Sequence, residues 1–328
     1  MLSRAAWGRL RLAGAAATLA VVVWRVGAGP VLDGLRTVDA EALAAAAGLG
    51  AVTTVCCAWR WRLVARGLGV DLPLPAAVAA YYRSLFFNVT LPGGVAGDVH
   101  RGISHGREVS DVGLGVRAVA WERGAGQAVQ VALTVAVLLV LPSPVRPAMP
   151  LIAIAVLAGV AGFGLAARAR PAGRSRWARA RRAVRRELRN GLLAGRAWLG
   201  IVLASALVVA GHAATFLIAA HTAGATAPPA TMLPLALLVM AAMALPSVGG
   251  WGPREGVTAW AFGAAGLGAG RGVATAVVYG VLVFVACLPG AAVLAAASLH
   301  RTRAAGRLRP RTPARVAALA QADGPADA

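Results

Sequence analysis

Two stretches of the chain place charged side chains directly after Pro/Gly-rich breaks in otherwise apolar sequence. The stretches are LPGGVAGDVHRG at residues 91–102 and LPSVGGWGPREG at residues 245–256. Proline ends one helix, glycine lets the backbone approach a ligand, and the first amides of the following helix attract an anion. Interrupted apolar segments at corresponding positions of two halves are typical of a transporter substrate site near the membrane midplane. The pattern therefore predicts an anion-binding site built from both breaks.

Ionisable side chains in and near these breaks are the strongest candidates for contact with a substrate. An ionisable group at membrane depth is costly unless it is paired or hydrated, so such residues tend to be functional. The alternative is that some are anchors at the membrane surface or structural ion pairs. Asn88, beside the first break, could either hydrogen-bond to backbone groups left free by the break or contact a ligand. The predicted substrate-binding residues are Asn88, Gly93, Gly94, Asp98, Arg101, Glu122, Arg123, Gly249, Gly250, Arg254 and Glu255.

Sequence motifs of cofactor sites and hydrolases give no positive signal. The glycine-rich breaks do not match the phosphate-cradling GxxxxGK[ST] loop, and the five histidines form no HExxH pattern. The three cysteines lack the spacing of a metal site. We therefore predict no cofactor, no metal and no catalytic residue. The enzymatic alternative is a membrane-embedded transferase, for which only Asp98, Glu122 and Glu255 could supply a general base.

The elements that hold these residues are predicted to be membrane helices. Of the 328 residues, 59% are hydrophobic and 14% are charged, with a mean hydropathy of +0.70. This composition is too apolar to cover a water-facing surface. Apolar runs of about 20 residues are long enough to cross a bilayer. We predict an all-α polytopic membrane protein with six confident spans, at 12–31, 42–59, 124–142, 148–167, 197–220 and 272–299.

Two further apolar stretches, at 74–100 and 228–270, are interrupted by proline and glycine. Such breaks disrupt the continuous hydrogen bonding that a simple spanning helix requires. We predict two re-entrant hairpins that enter from opposite sides, or eight or more spans if each arm crosses fully. The domain organisation is then a single integral membrane domain over 1–300, whose inverted-repeat-like halves, 10–142 and 148–299, contain one hairpin each.

The distribution of arginine predicts the orientation of the chain. All 33 basic residues are arginine, and against 12 acidic residues they give a formal net charge of +21. Most of them lie in segments 1–11, 60–72, 101–123, 168–196 and 300–315, which the positive-inside rule assigns to the cytoplasm. We therefore predict a multi-pass protein of the plasma (cytoplasmic) membrane with both termini in the cytoplasm.

The longest extramembrane segments are the basic loop 168–196 and the basic tail 301–328. We predict the tail to be disordered. Each of the two segments is too short for an independently folding catalytic domain. The second half of the loop is predicted to form a basic helix at the membrane surface, where anionic headgroups attract arginine. Nucleic-acid binding is not expected, because no folded part presents this charge with interleaved aromatic residues.

The two broken motifs, together with WER at residues 121–123, resemble the flippase-like membrane domain of lysylphosphatidylglycerol synthases and the stand-alone proteins similar to it. The likeness extends from about residue 10 to residue 300. The first motif departs from the usual form at Ala96, where glycine is common, and at His100, where an apolar residue is common. The resemblance implies a stand-alone member that lacks the soluble aminoacyl-transferase domain, so lipid aminoacylation is not expected from this chain.

The resemblance implies a protein that moves a phospholipid or a polyprenyl-linked lipid between leaflets. The positions that carry over as lipid-facing are Asp98, Arg101, Glu122, Arg123, Arg254 and Glu255. The expected partners are membrane lipids with anionic headgroups, and a separate soluble lipid-modifying enzyme is a further candidate partner. Two alternatives stay open: a non-transporting partner that recruits a glycosyltransferase or synthase through the basic loop, and the membrane-embedded transferase.

Overall fold

The computed structural model describes residues 29–91, 94–168, 176–192, 195–244 and 252–307, and this part of the chain is helical without β-strands. A single 3₁₀ turn, Arg146–Ala148, and a π-helical turn, Leu188–Leu192, interrupt the α-helices. The α-helices are α1 Gly29–Arg36, α2 Ala40–Gly67, α3 Leu74–Thr90, α4 Ala96–Glu108, α5 Val112–Val140, α6 Met149–Arg168, α7 Arg176–Glu187, α8 Ala197–Thr222, α9 Pro229–Ala242, α10 Pro253–Ala264, α11 Ala269–Cys287 and α12 Pro289–Arg307.

Within the described residues, five helical stretches are long and apolar enough to cross a membrane. They are Ala40–Gly67, Val112–Val140, Arg146–Ala166, Ala197–Thr222 and Ala269–Leu299, and the shortest has 21 residues. A span of the hydrocarbon core needs about 20 residues. The protein is thus a multi-pass helical membrane protein, and five of the six predicted spans have a matching helix. The sixth, 12–31, lies outside the described residues except for its last three positions.

Two helices extend beyond their predicted spans in a way that affects the site. Helix α5 begins at Val112, where the Asp111 carboxylate accepts a hydrogen bond of 2.8 Å from the amide of Leu114. An aspartate at this position satisfies a free amide of the first turn. The WER motif at 121–123 therefore lies inside α5 and does not open it. Helix α2 likewise continues to Gly67, through part of the segment assigned to the cytoplasm.

The last predicted span, 272–299, consists of two helices, because α11 ends at Cys287 and Pro289 begins α12. Proline is well placed at the first position of a helix, where its missing N–H would have no partner anyway. Helix α12 continues to Arg307, and the rest of the predicted disordered tail, residues 308–328, lies outside the described residues.

Each of the two broken stretches forms a pair of short helices, α3 with α4 and α9 with α10. These helices have 17, 13, 14 and 12 residues, so each is shorter than a typical membrane span. The chain leaves the breaks through Gly94 and Gly252, whose φ angles are +67° and +114°. Glycine adopts such angles without the steric cost that a side chain imposes. The intervening residues 92–93 and 245–251 lie outside the described residues.

The two helix pairs pack against different parts of the bundle. Helices α3 and α4 contact α2 and α5, with Trp61 and Tyr81 in the shared apolar core. Helices α9 and α10 join α2, α8 and α11 in a larger core, where the Phe216 ring lies 6.3 Å from Phe262 and 5.9 Å from Tyr279. Each pair therefore packs against neighbouring helices that are long enough to span the membrane.

The basic segment between α6 and α8 contains a helix, α7, as the sequence predicted for its second half. Its acidic residue Glu187 accepts a hydrogen bond of 2.7 Å from Trp121 Nε1 and forms an ion pair of 2.8 Å with Arg117 Nε, both on α5. The adjacent helix α6 has largely exposed apolar side chains, such as Leu151 and Leu157. Such a surface is typical of a lipid-facing helix, so α6 is a span at the periphery of the bundle. Helix α7 follows this span and is attached to the bundle by the contacts of Glu187 with α5.

Candidate functional site

The centre of the candidate site is Glu122 on α5, whose side chain is fully buried. Its carboxylate accepts hydrogen bonds from Arg60 Nε at 2.8 Å, from Arg101 Nη2 at 2.9 Å and from the Tyr81 hydroxyl at 3.0 Å. It also accepts one from Arg60 Nη2. The donors come from α2, α3 and α4. A buried carboxylate surrounded in this way has its desolvation cost offset by charge-assisted hydrogen bonds.

Arg60 on α2 is one of the residues of this cluster that are not among the predicted site residues. It was assigned to a cytoplasmic basic segment, but it is 4% exposed and donates from Nη1 to the Ser205 hydroxyl at 3.0 Å. Gly126 makes room for the guanidinium, since a Cβ at this position would lie 2.7 Å from Nη1. Arg60 thus connects α2 with α5 and α8 inside the bundle.

Asp98, in the first turn of α4, forms the second acidic centre. It accepts hydrogen bonds from Ser84 at 3.1 Å, Asn88 at 3.1 Å, Arg101 Nη2 at 3.1 Å and Arg123 Nη2 at 2.8 Å. The contacts join α3, α4 and α5 around the first break. Asp98 and Glu122 therefore share Arg101 as a common donor.

Asn88 makes structural hydrogen bonds at the first break. Its side-chain oxygen accepts a hydrogen bond of 2.8 Å from the amide of Gly97, at the start of α4, while its amide nitrogen donates to Asp98. A Cβ on Gly97 would overlap the main chain of Ser84, so α3 and α4 approach each other closely here. Asn88 therefore satisfies free backbone at the break and positions an acidic residue of the site.

The cluster carries more positive than negative charge. Its three arginines, Arg60, Arg101 and Arg123, face two carboxylates, which leaves one formal positive charge uncompensated. The Arg123 side chain is 39% exposed, whereas those of Arg101 and Glu122 are fully buried. The two carboxylates balance the two buried arginines, so the excess charge lies on Arg123, where an anion or water can accompany it. The cluster can therefore attract an anion, and Arg123 makes it reachable.

The second predicted group, Arg254 and Glu255, is buried at the start of α10. Arg254 Nε donates to the neighbouring carboxylate at 2.8 Å, and the other carboxylate oxygen accepts a hydrogen bond of 2.6 Å from the amide of Gly252. Gly280 on α11 leaves space for the guanidinium, since a Cβ there would lie 2.5 Å from Nη2. Glu255 therefore caps the helix after the second break and pairs with Arg254 at the same time.

Aromatic and polar contacts connect the Arg254 group with α8 and α11. The guanidinium of Arg254 lies 5.8 Å from the centre of the Tyr279 ring, and the Tyr279 hydroxyl is 3.2 Å from His212 Nδ1. The charged group at the second break is therefore in contact with the spanning helices beside it.

The structure thus brings together five of the predicted site residues around the first break and two at the second. Gly94 has the positive φ angle expected at a break, whereas Gly93, Gly249 and Gly250 lie outside the described residues. Four residues of the first cluster were not predicted: Arg60, Tyr81, Ser84 and Ser205. Among the described residues, no group of three His, Cys, Asp or Glu side chains is arranged to hold a metal ion.

Comparison with protein families gives one match that covers most of the chain. The family described as the lysylphosphatidylglycerol synthase TM region matches residues 9–290. The chain belongs to this family. The match includes both broken helix pairs and every residue of the two charged groups, and it indicates a function related to membrane lipids. A search of curated proteins finds no match to the chain.

Proposed function

We propose that the protein moves a lipid with a phosphate-bearing headgroup, a phospholipid or a polyprenyl-linked lipid, between the two leaflets of the membrane. The observation that carries this proposal is the excess positive charge of the cluster around Glu122, which lies on the partly exposed Arg123 beside a helix break inside a membrane bundle. A lipid phosphate supplies the missing negative charge. Membership of a lipid-related membrane family supports the same substrate class.

In this proposal the headgroup enters between the two broken helix pairs. Its phosphate contacts Arg123, which is partly exposed, and then the buried arginines of the two groups, while Asp98 and Glu255 keep those arginines oriented. Arginine is suited to this task because its planar fork binds phosphate oxygens in pairs. Rocking of one half of the protein against the other exposes the site to each leaflet in turn.

The proposed topology follows from the short broken helices and the arginine distribution. The pairs α3–α4 and α9–α10 are re-entrant, enter from opposite sides and belong to inverted halves of one membrane domain. The basic segments, including α7, face the cytoplasm, where anionic headgroups attract them. Labelling of single cysteines placed in 176–192 and in 142–145 tests the sidedness. Modification of both from the same side of sealed vesicles would contradict it.

Leaflet exchange of fluorescent phospholipids in liposomes, with a quencher added on one side, tests the transport proposal. Arg254→Ala and Arg123→Gln should each slow exchange by about tenfold to a hundredfold, because a charge-assisted hydrogen bond contributes about 1.5–3 kcal/mol. The matched control is Arg271→Gln, since Arg271 is an exposed arginine of α11 that contacts only the backbone of Leu267 in the described structure.

The proposal predicts that the wild-type protein and Arg271→Gln exchange lipid at similar rates. Arg254→Ala and Arg123→Gln should insert into the membrane but exchange lipid slowly. Absence of exchange for anionic, zwitterionic and polyprenyl lipids alike would refute transport. Exchange at the wild-type rate by Arg254→Ala would remove Arg254 from the site. Mass spectrometry of the same lipids separates transport from the transferase alternative, because a transferase changes the mass of the lipid and a transporter does not.

A further inference from the structure

A small cavity lies beside the charged cluster, between α2, α3, α4 and α12. Its volume is about 150 Å³, and one wall consists of alanines of α3 and Val293 of α12. The polar wall consists of Trp61, Arg83, His100, Arg101, Ser104, His105 and Glu108. On α4 the polar residues recur at intervals of three and four, so that they share one face of the helix. Of these residues, only Arg101 is among the predicted substrate-binding residues.

Several buried donor groups of this wall have no hydrogen-bond partner among the described residues. They are Nε and Nη1 of Arg101, Nε1 of Trp61, Nε of Arg83 and the ring of His105, whose two nitrogens both lack a partner and one of which donates when the ring is neutral. Trp61, Arg101 and His105 are 1%, 2% and 4% exposed. Buried donors of native proteins are almost always satisfied, and each one left alone costs free energy. So many unpaired donors around one cavity indicate that an acceptor belongs there.

Ring contacts within the wall do not satisfy these donors. The guanidinium of Arg101 lies over the ring of Tyr81 at 4.1 Å and over that of Trp61 at 4.5 Å, and the His105 ring meets Trp61 edge to face at 5.1 Å. The ring faces stabilise the positive charge of Arg101. They provide no lone pairs in the plane of the guanidinium, where its N–H groups point. The wall is therefore a preformed donor surface.

The charge of the wall determines which acceptor it suits. Arg83 and Arg101 are cationic, and one carboxylate, Glu108, stands against them at the exposed edge, 3.9 Å from His105 Nδ1. A volume of about 150 Å³ exceeds the about 30 Å³ share of one water and is below the about 300 Å³ of a site for a drug-sized ligand. The cavity therefore suits one compact anionic group.

We propose that this cavity is a phosphate-binding site, in which Arg83, Arg101, His105 and Trp61 donate to the oxygens of a single phosphate group. The exposed residues His100 and Glu108 lie at its edge and mark its opening. Arg101 takes part in both sites, since its Nη2 donates to Asp98 and Glu122 while its other nitrogens remain for the phosphate. A role of the cavity as the entry site of the transport path rests on the proposed function. Phosphate binding by the cavity does not rest on it.

Thermal unfolding of the full-length protein in an uncharged detergent tests the site. The probes are inorganic phosphate against chloride at equal ionic strength, and dioctanoyl phosphatidic acid and dioctanoyl phosphatidylglycerol against dioctanoylglycerol, which has no phosphate. A ligand that binds the folded state raises the Tm in a concentration-dependent manner, from which an affinity follows. Stabilisation by all three phosphate-bearing probes would show a site open to free phosphate, and stabilisation by the two lipids alone would show a lipid headgroup site.

Four variants separate this site from general effects of charge. Arg83→Gln and His105→Phe should weaken binding by about tenfold, which corresponds to about 1.4 kcal/mol; phenylalanine retains the edge-to-face contact with Trp61. Glu108→Gln should strengthen binding by up to about fivefold, since an exposed charge pair contributes up to about 1 kcal/mol. Arg107→Gln, an exposed neighbour outside the cavity, should bind like the wild type.

The site is overturned if no phosphate-bearing probe stabilises the wild-type protein, or if Arg83→Gln and His105→Phe bind as the wild type does. Weaker binding by Glu108→Gln would also overturn it, because removing a carboxylate strengthens an anion site. Leaflet exchange by the same proteins distinguishes the two proposals. If phosphate binding depends on Arg83 but no leaflet exchange is seen, the phosphate site is supported and transport is refuted. If exchange is seen without such binding, only the phosphate site is refuted.

Discussion

Replacing Glu122 with glutamine tests whether the buried charged cluster holds the membrane bundle together. The carboxylate accepts hydrogen bonds from Arg60, Arg101 and Tyr81, on three other helices. Glutamine has a similar shape but is neutral, and its amide nitrogen turns two donors toward the arginines. The formal excess of one positive charge in the cluster rises to two, with Asp98 as the remaining acid.

The size of the effect follows from the burial of the partners. Arg60 and Arg101 are 4% and 2% exposed and Glu122 is fully buried, so little water is available to replace the lost interaction. Removing one partner of a buried ion pair costs about 3–5 kcal/mol, because the other charge is left without compensation. We therefore expect the free energy of unfolding of Glu122→Gln to fall by about 3–5 kcal/mol.

Thermal unfolding in an uncharged detergent measures this change. At about 2 °C per kcal/mol, the Tm should fall by roughly 6–10 °C. The matched control is Glu41→Gln, which removes the same charge from an exposed position in the first turn of α2 and should change stability by less than about 1 kcal/mol. In a double-mutant cycle, Arg60→Gln should cost less in the Glu122→Gln background than in the wild type, by about 0.5–3 kcal/mol.

A Glu122→Gln protein that unfolds at the same temperature as Glu41→Gln would refute the reasoning. So would additive effects of the Arg60 and Glu122 substitutions, since additivity is expected only of residues that do not interact. The first result would mean that the contacts around Glu122 add nothing to stability, and the second that Arg60 and Glu122 do not interact.

Two glycines that make room for arginines provide the remaining predictions. Gly126→Ala should lower the free energy of unfolding by about 1–3 kcal/mol, because its Cβ would lie 2.7 Å from Nη1 of Arg60. The control is Gly124→Ala in the same unfolding assay. A Cβ there meets no atom within 4 Å, so the free energy of unfolding should stay unchanged or rise by up to about 1 kcal/mol. Gly280→Ala should displace the guanidinium of Arg254 and slow leaflet exchange by about tenfold relative to Gly124→Ala; an unchanged rate would contradict a role for Arg254 in exchange.

Most of the fold class was predictable from the sequence, because the length of an apolar helix and the effect of proline and glycine are local properties. The five long helices and the two broken stretches are of this kind. Helix boundaries were less accurate: α5 starts at Val112, well before the predicted start at residue 124. The residues from 112 to 123 include charges that interrupt the apolar run, and hydropathy alone does not show that these charges are paired inside the bundle.

The candidate site was only partly predictable for the same reason. Asp98, Glu122 and Arg123 stand out because charges next to apolar runs are expensive. Arg60 does not, because an arginine at the end of an apolar run usually anchors a helix at the membrane surface. Its partner Glu122 is 62 residues away in the chain, and nothing in the local pattern connects them.

The sequence by itself determined that the chain is a helical membrane protein with two broken segments, since these depend on the composition and order of neighbouring residues. Tertiary structure alone decided which charges meet. It paired Arg60 with Glu122 and gave Asp98 and Glu122 a shared donor in Arg101. Nε and Nη1 of that arginine have no hydrogen-bond partner within the part of the chain that the structure describes. Electrostatic and hydrogen-bonding partners in a bundle depend on how distant helices pack, because these interactions act only over a few ångströms.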